Sequence, residues 1–248
     1  MNEETNIIAG RNPVFEAIKA RAEISSILVA KGSTEGTIKA IISTAKKKKI
    51  PVKEVSPVKL DGLVPQGNHQ GVVAIISPIK YQSLNDIFKI AEERNEDPLI
   101  VILDGIEDVH NLGAIARTAE ACGAHGIIIP MHRAASVTTS SVKASAGALM
   151  HIPVCRVTNI AVTIEELKKR KVWIAGADMK GAQPYYKSNL KGPFALVIGG
   201  EGQGIRRLVL EKCDFTVSIP MKGRMSSLNA SNAAAVILFE VLRQRENS

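Results

Sequence analysis

The chain has 248 residues, enough for one large or two modest domains, and its 45% hydrophobic and 23% charged residues are the balance of an ordinary soluble globular protein. No apolar run approaches the roughly 20 residues that cross a bilayer. The opening Met1-Asn-Glu-Glu-Thr-Asn6 carries two acids and no apolar core, so it does not read as a signal peptide, and a cytoplasmic protein with no membrane partner is expected. The net charge of +8 favours polyanionic partners through phosphate contacts, while the scattered aromatic residues offer no stacking platform.

Asn12-Pro13 reads as the N-cap and first position of a helix running to about Arg21. A strand follows at Ser26–Ala30, then a helix from Glu35 to Lys48 with Ile38, Ile41, Ile42 and Ala45 at helical spacing. Val52–Val55 is a short strand and Gly71–Ser77 a longer buried one. The run Lys46–Lys49 suits a solvated helix end, where cations complement the macrodipole, and equally a phosphate-contacting patch. Residues 1–77 therefore read as a small α/β domain and 78–97 as a linker with its own helical segment, Leu84–Arg94.

Residues 98–248 alternate strand and helix. The strands are Leu99–Leu103, Gly126–Ile129, Ile152–Cys155, Val172–Gly176, Phe194–Ile198 and Phe215–Ile219. The helices are Leu112–Cys122, Ile164–Arg170, Gly204–Glu211 and Asn229–Arg243. This order predicts a mostly parallel sheet covered on both faces. The three cysteines, Cys122, Cys155 and Cys213, are far apart and sit in apolar or small-residue runs, so buried reduced thiols are expected. No Cys-x-x-Cys pair exists and the five histidines lack ligand spacing, so no metal site is expected.

Three segments carry polar and glycine residues between a strand and a helix, where open α/β sheets build ligand sites. They are Asp108-Val-His-Asn-Leu-Gly-Ala-Ile-Ala-Arg117, Ile198-Gly-Gly-Glu-Gly-Gln-Gly204 and Ile219-Pro-Met-Lys-Gly-Arg-Met-Ser-Ser-Leu-Asn-Ala-Ser231. The glycine loop is not a dinucleotide fingerprint, because Ile205 stands where the third glycine belongs. No Walker loop is present either. The glycines expose backbone N–H and C=O groups to a polar ligand, or form a tight turn. Asn111 and Arg117 are six residues apart and do not share a helix face; Asn111 reads as a loop residue and Arg117 as a projection from the second turn, or as an exposed amphipathic position. Ser226–Ser231 reads as a helix N-terminus with more polar residues than capping needs.

These segments resemble the three motifs of the SpoU (TrmH-like) branch of SPOUT RNA 2′-O-ribose methyltransferases, over roughly residues 99–245. Residues 1–77, with Gly67-Asn-His-Gln-Gly-Val-Val73, resemble a small RNA substrate-binding domain of L30e-like fold. The pair of domains looks most like bacterial 23S rRNA guanosine-2′-O-methyltransferases. Val109 stands where the family often has proline, and Asn232 where an apolar residue is common.

The resemblance implies an α/β fold with a deep trefoil knot at the C-terminus and a homodimer packed through the knot. It implies S-adenosyl-L-methionine as cofactor, contacted at Gly199, Ile219 and Leu228, and large-subunit rRNA as partner. Arg117 matches the family's proposed catalytic arginine. A guanidinium is a poor base at neutral pH, so stabilising the developing 2′-oxyanion is preferred over base action relayed through a phosphate. Asn111 and Asn229 are expected to orient the hydroxyl or Arg117, Glu201 to fix Arg117 or its own loop, and Ser227 to touch substrate or cap the helix. The alternatives are a tRNA ribose 2′-O-methyltransferase and a catalytically silent ribosome-assembly protein that binds RNA; the intact set Asn111, Arg117, Glu201 and Asn229 argues against the silent one.

Overall fold

A computed structural model describes residues 7–20, 22–33, 36–65, 67–180, 183–224 and 226–247. It divides into two compact units, Met1–Lys80 with Ser136–Ser140, and Tyr81–Ala135 with Ser141–Ser248. Arg21 and Glu35, expected as helix ends, lie outside the described residues.

Among the described residues the first unit is a mixed four-stranded sheet with three helices. Its elements are β1 (Ile7–Ala9), α1 (Arg11–Lys19), β2 (Ile24–Ala30), α2 (Thr37–Lys47), β3 (Val52–Val55), α3 (Pro57–Leu63) and β4 (Val72–Ile76), in sheet order β1-β4-β2-β3. β4 is antiparallel to β1 and β2, and β3 is parallel to β2. Val14 and Ile18 of α1 and Ile38 and Ile41 of α2 bury against Ile27 and Val72. Each large aliphatic side chain so buried contributes about 1.5–3 kcal/mol.

Asn12 is not the N-cap of α1. Gly10 is, at φ 96°, with its N–H donated to the Val72 carbonyl and the next N–H, of Arg11, to Gln70 Oε1 at 3.0 Å. The chain turns out of β1 at Gly10 because only glycine holds that φ without strain. The four lysines Lys46–Lys49 are exposed, and one of them, Lys48, ties its Nζ back to the Ile18 carbonyl.

The second unit holds a seven-stranded sheet. Its elements are α4 (Leu84–Arg94), β5 (Leu99–Asp104), α5 (Val109–Ala121), β6 (Gly126–Pro130), α6 (Thr139–Ala144), β7 (Val154–Val157), α7 (Ile160–Lys169), β8 (Trp173–Ala177), β9 (Gln183–Pro184), β10 (Phe194–Gly199), α8 (Arg207–Leu210), β11 (Phe215–Ser218) and α9 (Ala230–Glu246). The order is β7-β6-β5-β10-β8-β11-β9 and every pairing is parallel, as the alternation of strands and helices predicts. β5 is buried along its whole length, as a strand covered on both faces must be.

Helix α4 does not behave as linker. Its Leu84 and Ile87 pack into one cluster with Ile100, Ile102, Ile164 and Leu167. Ser83 and Asp86 close a reciprocal capping box at its start. On other helices, α5 packs against α9. Gly113 lets α5 approach α6 closely, since a Cβ there would lie 2.5 Å from the Ala144 Cβ.

His125 is fully buried beside β5. Its Nδ1 accepts the Leu99 N–H at 2.9 Å, and its Nε2 lies 3.1 Å from Glu96 Oε2, which fixes the neutral tautomer with the proton on Nε2. Burial pushes its pKa below the ordinary 6.5, with the Glu96 charge opposing in part. The unfolded chain therefore takes up a proton near pH 6.5 that the folded chain refuses, and stability falls as pH drops through that region. Urea unfolding at about pH 7.5 and about pH 5.5 should show a larger loss for the native chain than for His125→Gln; equal losses would remove His125 as the cause.

Cys122 and Cys155 are buried as expected and Cys213 is half-buried; burial pushes the first two thiols up to about 11 and Cys213 to about 12, which disfavours the thiolate of each. Among the described residues no helix is long and apolar enough to cross a membrane.

Candidate active site

The site follows from the order of the strands. β5 and β10 lie side by side in parallel register, with Gly199 opposite Asp104. From β5 the chain winds outward to β6 and β7 on one side, whereas β8, β11 and β9 lie beyond β10 on the other. The two strands thus flank the point where the winding reverses, and open α/β sheets bind ligands outside the carboxyl ends of strands at such a point. The loops after β5, β10 and β11 are the three segments singled out by sequence, and all leave the same end of the sheet.

The loop after β10 is built by close backbone approach. A Cβ on Gly199 would lie 2.1 Å from the Gly204 carbonyl carbon, and one on Gly200 would lie 2.1 Å from the Gly105 carbonyl oxygen. The Gly200 N–H donates to the Asp104 carbonyl at 2.9 Å, and the Gly204 N–H to the Gly200 carbonyl at 2.9 Å. Gly202 and Gly204 turn at positive φ. Behind the loop, the fully buried Asp104 carboxylate accepts from Arg206: the guanidinium Nε donates to Oδ1 at 2.7 Å and the backbone N–H to Oδ2 at 2.8 Å. That anchor delays helix α8, which spans four residues rather than the expected Gly204–Glu211.

Asn111, Glu201 and Asn229, one from each segment, form a single hydrogen-bonded cluster. Asn111 Nδ2 donates to Glu201 Oε1 at 2.9 Å. Asn229 Nδ2 donates to the same oxygen at 2.8 Å and to Asn111 Oδ1 at 3.0 Å. Asn229 Oδ1 accepts from the Ser231 N–H at 2.8 Å and the Ser231 hydroxyl at 2.6 Å, which sets the orientation of the amide. Asn229 is also the N-cap of α9. Glu201 Oε2 accepts no hydrogen bond among the described residues, and the residue as a whole is exposed.

Two of the expected placements differ. Asn111 is not in a loop. Asp108 caps α5, accepting the His110 N–H at 2.9 Å, so Asn111 lies in the first helical turn and is 94% buried by its 6% exposure. Val109 takes the first helical position, which proline also suits, so the departure from the family leaves the helix start intact. Nor does Glu201 hold Arg117. Arg117 is exposed on α5, about 9 Å along the axis from Asn111 and on another face, with no hydrogen bond or ion pair among the described residues.

Beside the cluster is a cavity of about 600 Å³. Gly199, Ile219 and Leu228 line it, as do Ser227, Glu201 and Asn229. Ile198, Ile237 and Met179 give it apolar walls and Asp178 a carboxylate. Its size suits a small-molecule ligand. Among the described residues no group of three His, Cys, Asp or Glu is placed to hold a metal ion. Sequence reasoning missed Asp104, Arg206 and Ser231 as supports of the site. Asp104 had a visible signal, a carboxylate ending an apolar strand just before glycine.

Residues 98–239 match the model of the SpoU rRNA methylase family, and residues 7–82 match that of an RNA 2′-O ribose methyltransferase substrate-binding domain. The chain is 46% identical, over 99% of its length and 98% of the relative's, to a Bacillus subtilis (strain 168) protein named as a TrmH family tRNA/rRNA methyltransferase, YacO. Among solved structures it resembles the SpoU methyltransferase AviRb from Streptomyces viridochromogenes, determined in complex with the cofactor AdoMet. That match has a TM-score of 0.62 and 28% identity, covering 98% of this chain and 91% of the other. The TrmH/SpoU tRNA modifying enzyme of A. aeolicus is 28% identical with a TM-score of 0.57, but the match covers 65% of this chain and 85% of that one. With a family model spanning more than half its residues, the chain belongs to the SpoU rRNA methylase family of RNA methyltransferases.

Proposed function

We propose that this chain transfers a methyl group from S-adenosylmethionine to a ribose 2′-hydroxyl of RNA, and that the target is a guanosine of 23S rRNA. The observation that carries the reading is the meeting of Asn111, Glu201 and Asn229 at the edge of the cavity lined by Gly199, Ile219 and Leu228. The residues fit the cofactor: close-packed glycine backbone presents N–H and C=O groups, apolar walls flank it, and the cavity falls within the roughly 300–1,000 Å³ of small-molecule sites. The AdoMet complex of AviRb supports the same assignment.

When bound, the cofactor supplies an already activated methyl group. The chain's own task is to hold the ribose oxygen in line with it, exclude water, and stabilise the charge that develops on that oxygen. Asn229 is fixed by Ser231, and together with Asn111 it holds Glu201 through Oε1. The other oxygen, Oε2, is left to accept the ribose hydroxyl. Arg117, exposed on another face of α5 from Asn111, is the proposed electrostatic stabiliser of that oxygen, and the homodimer that belongs to this reading must bring it there. Ser227, on the cavity wall, contacts substrate. The trefoil knot and a homodimer packed through it belong to this reading.

The first unit is the RNA-presenting part, supported by its match to a substrate-binding model and by the exposed lysine run. The same unit favours rRNA over tRNA: the tRNA modifying enzyme of A. aeolicus matches only 65% of this chain. Mapping 2′-O-methyl sites in cells with and without the gene tests the target. One 23S guanosine should lose its methyl group. Loss confined to tRNA would replace the target, and no loss in any RNA would favour a silent assembly factor.

A further inference from the structure

We propose that a second cavity beside the first seats the nucleotide to be methylated and reads its base as guanine through Glu107, with Arg133 on its phosphate. This rests on the methyl-transfer reading and adds where the nucleotide sits and what recognises it.

The second cavity has a volume of about 440 Å³. Gly200, Glu201, Gln203 and Gly204 line both cavities, so the glycine loop is their common wall. Asn111 faces the second cavity and Asn229 the first, and Glu201, bonded to both, stands between them. Group transfer needs the reacting atoms about 3–3.5 Å apart. Ligands of the two cavities can come that close only over the rim of the shared loop, beside Glu201, which lines both. The volume suits one nucleotide and excludes a duplex, so a paired target must be unstacked and turned out, as enzymes acting on single nucleotides require.

The lining sorts itself by what is already engaged. Asp104 and Arg206 satisfy each other. Asp108 caps α5. Asn111 is held in the cluster. Apart from Glu201, whose Oε2 is kept for the ribose, Glu107 and Arg133 are the charged side chains that remain, both exposed and neither with a hydrogen bond or ion pair among the described residues; the neutral Gln203 side chain is likewise exposed and unbonded. Arg133 is also held at φ 55°, in the left-handed region that a side chain rarely adopts. A flipped base is read along its Watson–Crick edge. Guanine offers two adjacent donors there, N1–H and the N2 amino group, which a carboxylate accepts together. Adenine, cytosine and uracil present no such pair. The carboxylate repels phosphate, which leaves Arg133 as the anion's partner.

The test titrates the full chain, saturated with S-adenosylhomocysteine so that the first cavity is filled, with guanosine, inosine and adenosine 5′-monophosphates by calorimetry. Inosine lacks the N2 amino group. The native chain should bind the guanosine nucleotide about tenfold more tightly than the others, the discrimination of one bidentate pair. Glu107→Gln should erase that preference, and Arg133→Ala should weaken all three alike. Both residues are exposed, and unchanged melting curves confirm that the variants fold. Absence of guanosine nucleotide binding by the native chain, absence of a guanine preference, or a preference kept in Glu107→Gln would overturn the proposal. Methyl transfer to rRNA by the same native protein separates the two readings: transfer with no role for Glu107 removes only this inference, and no transfer removes the function itself.

Discussion

Replacing Arg117 by alanine is expected to lower the single-turnover rate of methyl transfer about 10²–10³-fold, the cost of losing one donor to a developing oxyanion. The affinity for S-adenosylmethionine should stay unchanged, because Arg117 lines neither cavity. Folding should also be unaffected, since the side chain is exposed and makes no hydrogen bond among the described residues. Arg117→Lys should recover little, because a point ammonium does not reproduce the planar fork of donors. A near-normal rate in Arg117→Ala would return this residue to an ordinary exposed position on an amphipathic helix. The separation of Arg117 from the Asn111 cluster makes this the sharpest test of its role.

The second large effect is expected at Gly200. A Cβ there meets the Gly105 carbonyl oxygen at 2.1 Å, a backbone atom at the end of β5 that has no rotamer with which to yield. Gly200→Ala should therefore destabilise the second unit by about 3 kcal/mol, the upper part of the usual range for overpacking. The displaced loop also loses the 2.9 Å bond from the Gly200 N–H to the Asp104 carbonyl and carries Glu201 out of reach of Asn111 and Asn229. Chain that remains folded should bind S-adenosylmethionine poorly and transfer no methyl group. Gly202→Ala is the control. Open space surrounds that position, and only its φ of 81° is strained, at a cost of about 1–2 kcal/mol. Equal melting temperatures for the two variants would show that the loop does not depend on the close approach at Gly200.

The parallel sheet was legible because its central strands are continuous apolar runs between amphipathic helices. In the structure Leu99–Leu103 and Phe194–Ile198 each gain only one terminal residue, Asp104 and Gly199. Both of those are polar or small and carry little strand preference, yet they are the residues that set the loops. The short edge strands β1 and β9 and helix α3 escaped notice because three, two and seven residues offer too little periodicity to read. Helix α5 starts earlier than its apolar pattern does, because Asp108 caps it and the first turn is chosen by that hydrogen bond. Asn12-Pro13 misled for the opposite reason: a strong local cap signal was overridden by the backbone bonds that hold Gly10 and Arg11 to the neighbouring loop and strand.

Of the site, the three segments and the cavity residues Gly199, Ile219 and Leu228 could be singled out in advance, from polar residues at strand ends and from family resemblance. What the residue order does not contain is partnership. Asn111 and Asn229 are 118 positions apart and share one hydrogen bond, and nothing local distinguishes that pair from Glu201 with Arg117. The pairing is decided by strand order, which brings the ends of β5 and β10 together and folds the loop after β11 across them.

The central claim is that this site methylates a ribose oxygen. A 2′-O-methyl group removes the nucleophile that alkali uses to cleave the following phosphodiester. The direct measurement is therefore to incubate the full chain with rRNA and methyl-labelled S-adenosylmethionine and to digest the product with alkali. The account predicts that the label resides in an alkali-resistant dinucleotide whose 5′ residue is guanosine, and that Asn111→Ala and Glu201→Ala remove it. Label released in ordinary mononucleotides would place the methyl group on a base and contradict the account.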